Sequence, residues 1–154
     1  MGPLIRVRLL WVGRTRARWV ADGVDRYLKL LGPMARVEVV EVKEERGASE
    51  SGVAVARQSA RILKQAAPGF WLLDERGAEL RSEEFARRIG DAGARAGVDL
   101  VVGGAHGVSA EVKAAAGATL ALSRMTLTHE MARLLLVEQV YRACTILRGG
   151  AYHH

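Results

Sequence analysis

The sequence predicts a single α/β domain built on a mostly parallel sheet with helices on both faces. Aliphatic or β-branched runs alternate five times with stretches of helical periodicity. Two of those runs, Phe70-Trp71-Leu72-Leu73 and Val98 to Val102, contain little or no polar break, which suits strands buried on both faces of a parallel sheet. The 154 residues are 49% apolar and only 5% aromatic, enough for one core that must be largely aliphatic. No repeat, linker or low-complexity stretch divides the chain, so residues 1–154 read as one domain.

Each element has its own signal. Ile5, Val7, Leu9 and Trp11 recur with period two, and Gly13 ends that strand. Trp19, Val20, Val24, Tyr27, Leu28 and Leu31 follow at helical spacing, stopped by Gly32-Pro33. Val37, Val39, Val40 and Val42 form a second strand. The charged, glycine-punctuated stretch from Lys43 to Gly52 reads as a mobile loop before a helix from about Val53 to Ala66. After the strand Phe70–Leu73, Asp74-Glu75-Arg76-Gly77 reads as a turn. Ser82 is a good N-cap for a helix running to about Ala96, with Glu83 and Glu84 in its first turn. The strand Val98–Val102, a short helix near Ala110–Ala116, a strand Thr119–Leu122 and a long helix from about Thr128 to Leu147 complete the chain.

The formal charge of +6 and a pI near 10.1 favour a polyanionic partner, nucleic acid first. Arg14, Arg16 and Arg18 concentrate cations where the first strand turns into its helix, against the helix dipole. They read either as a solvated helix start or as an RNA contact. Cys144 is the lone cysteine, so no intrachain disulfide forms, and its apolar setting suggests a buried thiol. No metal-binding spacing appears. No apolar run approaches the roughly 20 residues of a membrane span, and Arg6 and Arg8 interrupt any signal-peptide core, so a cytoplasmic protein is expected.

Ligands of open α/β sheets bind at the carboxyl ends of the strands. Three turns fall there: the one after Leu73, Gly103-Gly104-Ala105-His106-Gly107, and Leu122 to Thr128. The glycine spacing is GGxxG, so the dinucleotide fingerprint is absent, and the turn reads as structural or as a cofactor cradle. His106 in that turn and His129 at the start of the last helix have both structural and functional readings. The last helix is apolar nearly all round, which suits burial against its own sheet and a partner subunit. Glu138 and Arg142 stand one helical turn apart and can pair. The tail Gly149-Gly150-Ala151-Tyr152-His153-His154 is either a frayed end or an aromatic, imidazole-bearing arm able to stack on a base.

The run Leu134-Leu135-Leu136-Val137-Glu138-Gln139-Val140-Tyr141-Arg142-Ala143 with Gly149, Tyr152 and His153 resembles the RlmH-type SPOUT methyltransferases. The resemblance extends through Ser123-Arg124-Met125-Thr126-Leu127-Thr128-His129, Gly103 to Gly107, and Leu72-Leu73-Asp74 with Gly77, and so covers essentially the whole chain. It implies a C-terminal trefoil knot, a homodimer, S-adenosylmethionine as cofactor, and methylation of N3 of a pseudouridine in large-subunit ribosomal RNA on the assembled ribosome. Carried onto this chain, the cofactor would be held by Leu73, Gly104, Ser123, Arg124, Met125, Thr126, Leu127 and Thr128. The family usually has proline where this chain has Thr128. Tyr152, His153, Arg142 and His129 would be catalytic: Tyr152 and His153 hold or deprotonate the base, Arg142 steadies the developing anionic oxygen, and His129 supports the loop. The alternative is a ribosome-binding factor that keeps the fold without the chemistry.

Overall fold

A computed structural model describes residues 4–45 and 51–154, so part of the loop expected over Lys43–Gly52 lies outside the described residues. The described chain runs β1 (Arg6–Val12), α1 (Arg18–Leu31), β2 (Arg36–Val42), α2 (Ser51–Gln65), β3 (Trp71–Glu79), α3 (Ser82–Arg95), β4 (Val98–Val102), α4 (Ala110–Ala115), β5 (Ala118–Ala121) and α5 (His129–Leu147). The strands form one sheet in the order β2-β1-β4-β3-β5, and every pairing is parallel.

The alternation within β1 sorts its side chains between two cores. Val7, Leu9 and Trp11 face α1, α3 and α5, where they pack with Val24, Ile89, Val137 and Val140. Leu10 and Val12 face α2 and α4, where Ile62 and Val112 cover them. All five residues of β4 are buried, which is why its sequence is apolar except for Asp99. That carboxylate is satisfied at the strand's start: it accepts from Arg8 Nε at 2.9 Å and from the Ala67 backbone N–H at 2.8 Å. Arg8 and Asp99 are register partners, so the pair locks β1 to β4.

Two local readings change. The stretch Asp74–Gly77 does not leave the sheet but is a bulge inside β3, which pairs with β5 up to Leu73↔Leu120 and again at Ala78↔Leu120. Gly77 makes this feasible, because a Cβ there would lie 2.6 Å from the Thr119 carbonyl carbon. Ser82 is the first residue of α3 rather than its cap; its hydroxyl donates to Gln139 Oε1 at 2.9 Å and ties α3 to α5. Thr128 does cap α5, its Oγ1 accepting from the Met131 N–H. Cys144 is buried, and burial pushes its thiol up to about 11. No helix among the described residues is long and apolar enough to cross a membrane.

Candidate active site

The carboxyl ends of β3, β4 and β5 open onto a cleft of about 870 Å³. One wall is Leu72, Leu73 and the bulge residues Asp74, Glu75 and Arg76. The floor is Val102 with the turn Gly103–Gly107, closed by the Gly107 N–H bonding to the Gly104 carbonyl at 3.0 Å. Gly107 is in the left-handed region at φ 80° and Gly103 lies against Val108, where a Cβ would come within 2.9 Å, so this turn needs glycine at both places. The opposite wall runs from Leu122 to His129 without Arg124.

That last wall is tied down from both ends. Ser123 Oγ accepts from the Met125 N–H at 2.9 Å, Thr126 Oγ1 donates to Glu75 at 2.6 Å, and Arg124 pairs with Glu79. Arg124 therefore points along β3 instead of into the cleft, and of the residues expected around a cofactor it alone does not line it. Met125 is 80% exposed, an apolar side chain at the mouth that the described residues leave uncovered. His129 lines the cleft, and burial, with the charge of Arg133 behind it, lowers its pKa. Its imidazole is thereby biased to the neutral form.

Tyr152, His153 and Arg142 form a second cluster. Arg142 donates to Glu138 Oε1 through Nη2 at 2.7 Å and Nε at 3.1 Å, and the Tyr152 hydroxyl donates to the same oxygen at 3.0 Å. Burial, Tyr27 and the Glu138 charge raise the Tyr152 phenol, so it remains a donor. The tyrosine ring lies edge-on to Tyr141 and under the Arg142 guanidinium, 4.7 Å away in each case. His153 Nδ1 faces Arg142 Nη1 at 3.2 Å and Nε2 faces Glu83 at 3.1 Å. Arg142 can only donate, so the compatible tautomer carries its proton on Nε2. The tail is thus docked on α3 and α5.

The bond from His153 holds the Glu83 carboxyl down at about 2. A depressed carboxylate stabilises above its ordinary value, near 4.5, and loses that contribution as pH falls toward 2. Acidification through that window should release the tail. His153 ring resonances followed by NMR should show the transition, and Glu83→Gln should abolish it; an identical profile in the variant would mean that another group holds the tail.

Arg142 stands 13 residues after His129 on the same helix, which at roughly 1.5 Å per residue separates the cluster from the cleft by about 20 Å. Within one chain, then, His129 belongs with the cofactor-type residues, while Tyr152, His153 and Arg142 gather elsewhere.

Two side chains of the first turns of α5 have functional bearing that the sequence did not disclose. Glu130 accepts from the Arg16 and Ala17 backbone N–H groups at 3.0 and 2.9 Å, holding the start of α1. Arg133 is completely buried and donates to the carbonyls of Val12 and Gly13, at 2.5 and 3.1 Å, and to Thr15 Oγ1 at 3.0 Å. Burial lowers its pKa, partly offset by the charges of Glu130, Glu41 and Glu44, and the Trp11 ring lies 5.2 Å from its Cζ. The available signal was a single cation in the buried stripe of Leu136, Val137, Val140 and Ala143. Among the described residues no group of three His, Cys, Asp or Glu side chains could hold a metal.

A parallel sheet with a glycine turn and a tethered loop at its carboxyl edge offers a ligand cleft at the strand ends, and the family model described as "Predicted SPOUT methyltransferase" matches residues 5–153. The chain belongs to the SPOUT methyltransferase family. Among curated relatives, a protein of Thermodesulfovibrio yellowstonii named "Ribosomal RNA large subunit methyltransferase H" is 41% identical over 98% of this chain and 100% of its own. The protein of the same name from Anaeromyxobacter dehalogenans is 45% identical over 97% and 99%. A methyltransferase from Legionella pneumophila, solved with bound SAM, superposes with a TM-score of 0.52 at 13% identity, covering 92% of this chain and 66% of that one, a likeness of fold.

Proposed function

We propose that this protein transfers a methyl group from S-adenosylmethionine to N3 of a pseudouridine in large-subunit ribosomal RNA, acting in the cytoplasm on the assembled ribosome. The observation that carries this reading is the cleft between the Gly103–Gly107 turn and the tethered Ser123–Thr128 loop, in a chain similar over its whole length to proteins named for ribosomal RNA methylation. The lining suits the cofactor. Leu73, Val102, Leu122 and Leu127 offer apolar surface to an adenine, Gly104 permits close approach, and Asp74 and Glu75 place carboxylates beside a cationic group. Bound there, S-adenosylmethionine supplies a methyl already activated on a sulfonium. The protein's share is to exclude water and to align an imide nitrogen with that methyl.

The imide proton must also leave. Tyr152 and His153 hold or deprotonate the base, Arg142 steadies the anionic oxygen that develops, and His129, capped in place by Thr128, supports the loop. Because the cleft and the tail are about 20 Å apart in one chain, the reading requires a homodimer in which one subunit's tail meets its partner's cleft. The half-buried side chains of Leu134, Leu135 and Tyr141 and the 63% exposed Trp19 provide apolar surface for that association. The reading carries with it a trefoil knot in the C-terminal third. The test is transfer of labelled methyl to ribosomes lacking the modification, with protein-free ribosomal RNA alongside. Label appearing at the pseudouridine N3 in ribosomes alone is the expected result; cofactor binding without transfer to either would overturn the assignment of substrate.

A further inference from the structure

We infer that the β1–α1 loop, through Arg14 and Arg18, is an RNA-docking element that grips phosphates beside the reacting nucleotide; this rests on the ribosomal RNA methyltransferase reading above. The loop leaves the sheet at its carboxyl edge, where the cleft opens, and it is held in one shape from below. Glu130 ties down the N–H groups of Arg16 and Ala17, and Arg133 ties down the Val12 and Gly13 carbonyls and Thr15. Burying a whole guanidinium is costly, and Arg133 leaves even its own Nε without a partner. Its hydrogen bonds all go to the end of β1 and this loop, so the first turns of α5 shape the loop with Glu130 and Arg133 and the cleft with His129.

What the fixed backbone presents is positive. Arg14, Arg16 and Arg18 are all exposed. Arg16 is neutralised by Glu44 at 2.6 Å, but among the described residues neither Arg14 nor Arg18 has a carboxylate in ion-pair range, although Glu41 and Glu44 border the hollow beside Arg14. Other exposed arginines, among them Arg26, Arg36, Arg87 and Arg88, are also without an ion pair among the described residues, so what sets this loop apart is its tethered backbone and its place at the carboxyl edge. The first turn of α1 has no acidic residue and no side-chain cap of its own, and the carboxylate that meets this end of the helix comes from Glu130 on α5. A preorganised loop with unpaired arginines suits anionic oxygens supplied by a partner, and RNA phosphates match guanidinium forks.

Arg14→Glu/Arg18→Glu should be compared with wild type and with Arg87→Glu/Arg88→Glu, a matched reversal on exposed positions of α3. Ribosome binding by co-sedimentation across a potassium chloride series, methyl transfer, S-adenosylmethionine binding and mass by light scattering are the readouts. The loop variant should bind ribosomes at least about tenfold more weakly, with a log–log salt slope shallower by about 2, while the α3 reversal stays near wild type. Cofactor affinity and mass should not change. Wild-type slope and affinity in the loop variant, or an equal loss in the α3 variant, would overturn the inference, as would a variant that falls to half the mass and so reveals a subunit contact. Wild type that binds ribosomes without methylating them would count against the methyltransferase reading alone, the salt slope still deciding the role of the loop.

Discussion

His153→Ala should lower methyl transfer at least about a hundredfold while leaving S-adenosylmethionine affinity unchanged, and mixing that chain with a cleft variant should restore activity. The separation follows from position: His153 hydrogen-bonds to Arg142 and Glu83, and none of the three lines the cleft. Gly104→Val is the complementary lesion. A Cβ at Gly104 would meet Gln58 and Val12 at an ordinary 3.6 Å, so the backbone tolerates one carbon, and the further bulk of valine is expected to narrow the cleft that Gly104 lines. Each variant alone should be inactive. If chains assort at random, half the dimers are mixed, and each has one intact cleft facing one intact tail, so roughly a quarter of wild-type activity returns. No recovery from demonstrated mixed dimers would mean that cleft and tail act within one subunit.

Arg133→Met should destabilise the fold by about 3 kcal/mol, the larger part of it from stranded acceptors. The substitution keeps much of the side-chain volume over Trp11, so packing is a minor component. What it removes are the donors to the Val12 and Gly13 carbonyls and to Thr15, in a place water does not reach. Arg133→Lys should recover only part of this, since one ammonium cannot reproduce the fork that reaches both carbonyls and the hydroxyl. Urea unfolding monitored by tryptophan fluorescence gives the difference directly. A loss below about 0.5 kcal/mol in the methionine variant would mean that the loop, and not the arginine, determines its own conformation.

The sequence determined the architecture because its periodicities report which side of an element is buried. The runs around Leu9, Val101 and Leu72 marked strands, the α5 stripe marked a buried helix, and known rules for parallel sheets brought Leu73, Gly104 and the Ser123–Thr128 segment to one edge. Resemblance then gave those residues a chemistry. Periodicity is local, however, and four outcomes depended on partners far away in the chain. Whether Asp74–Gly77 turned or bulged was decided by β5 pressing on Gly77. Arg124 left the cleft because Glu79 lies beside it. The tail docked because Glu83, 70 residues earlier, receives His153. Arg133, on a helix face that reads as apolar, was committed to carbonyls 120 and 121 residues upstream. Hydrogen bonds of such separation leave no local pattern, so only the tertiary structure could decide which charges serve the core, which are tied to one another at the surface and which remain exposed.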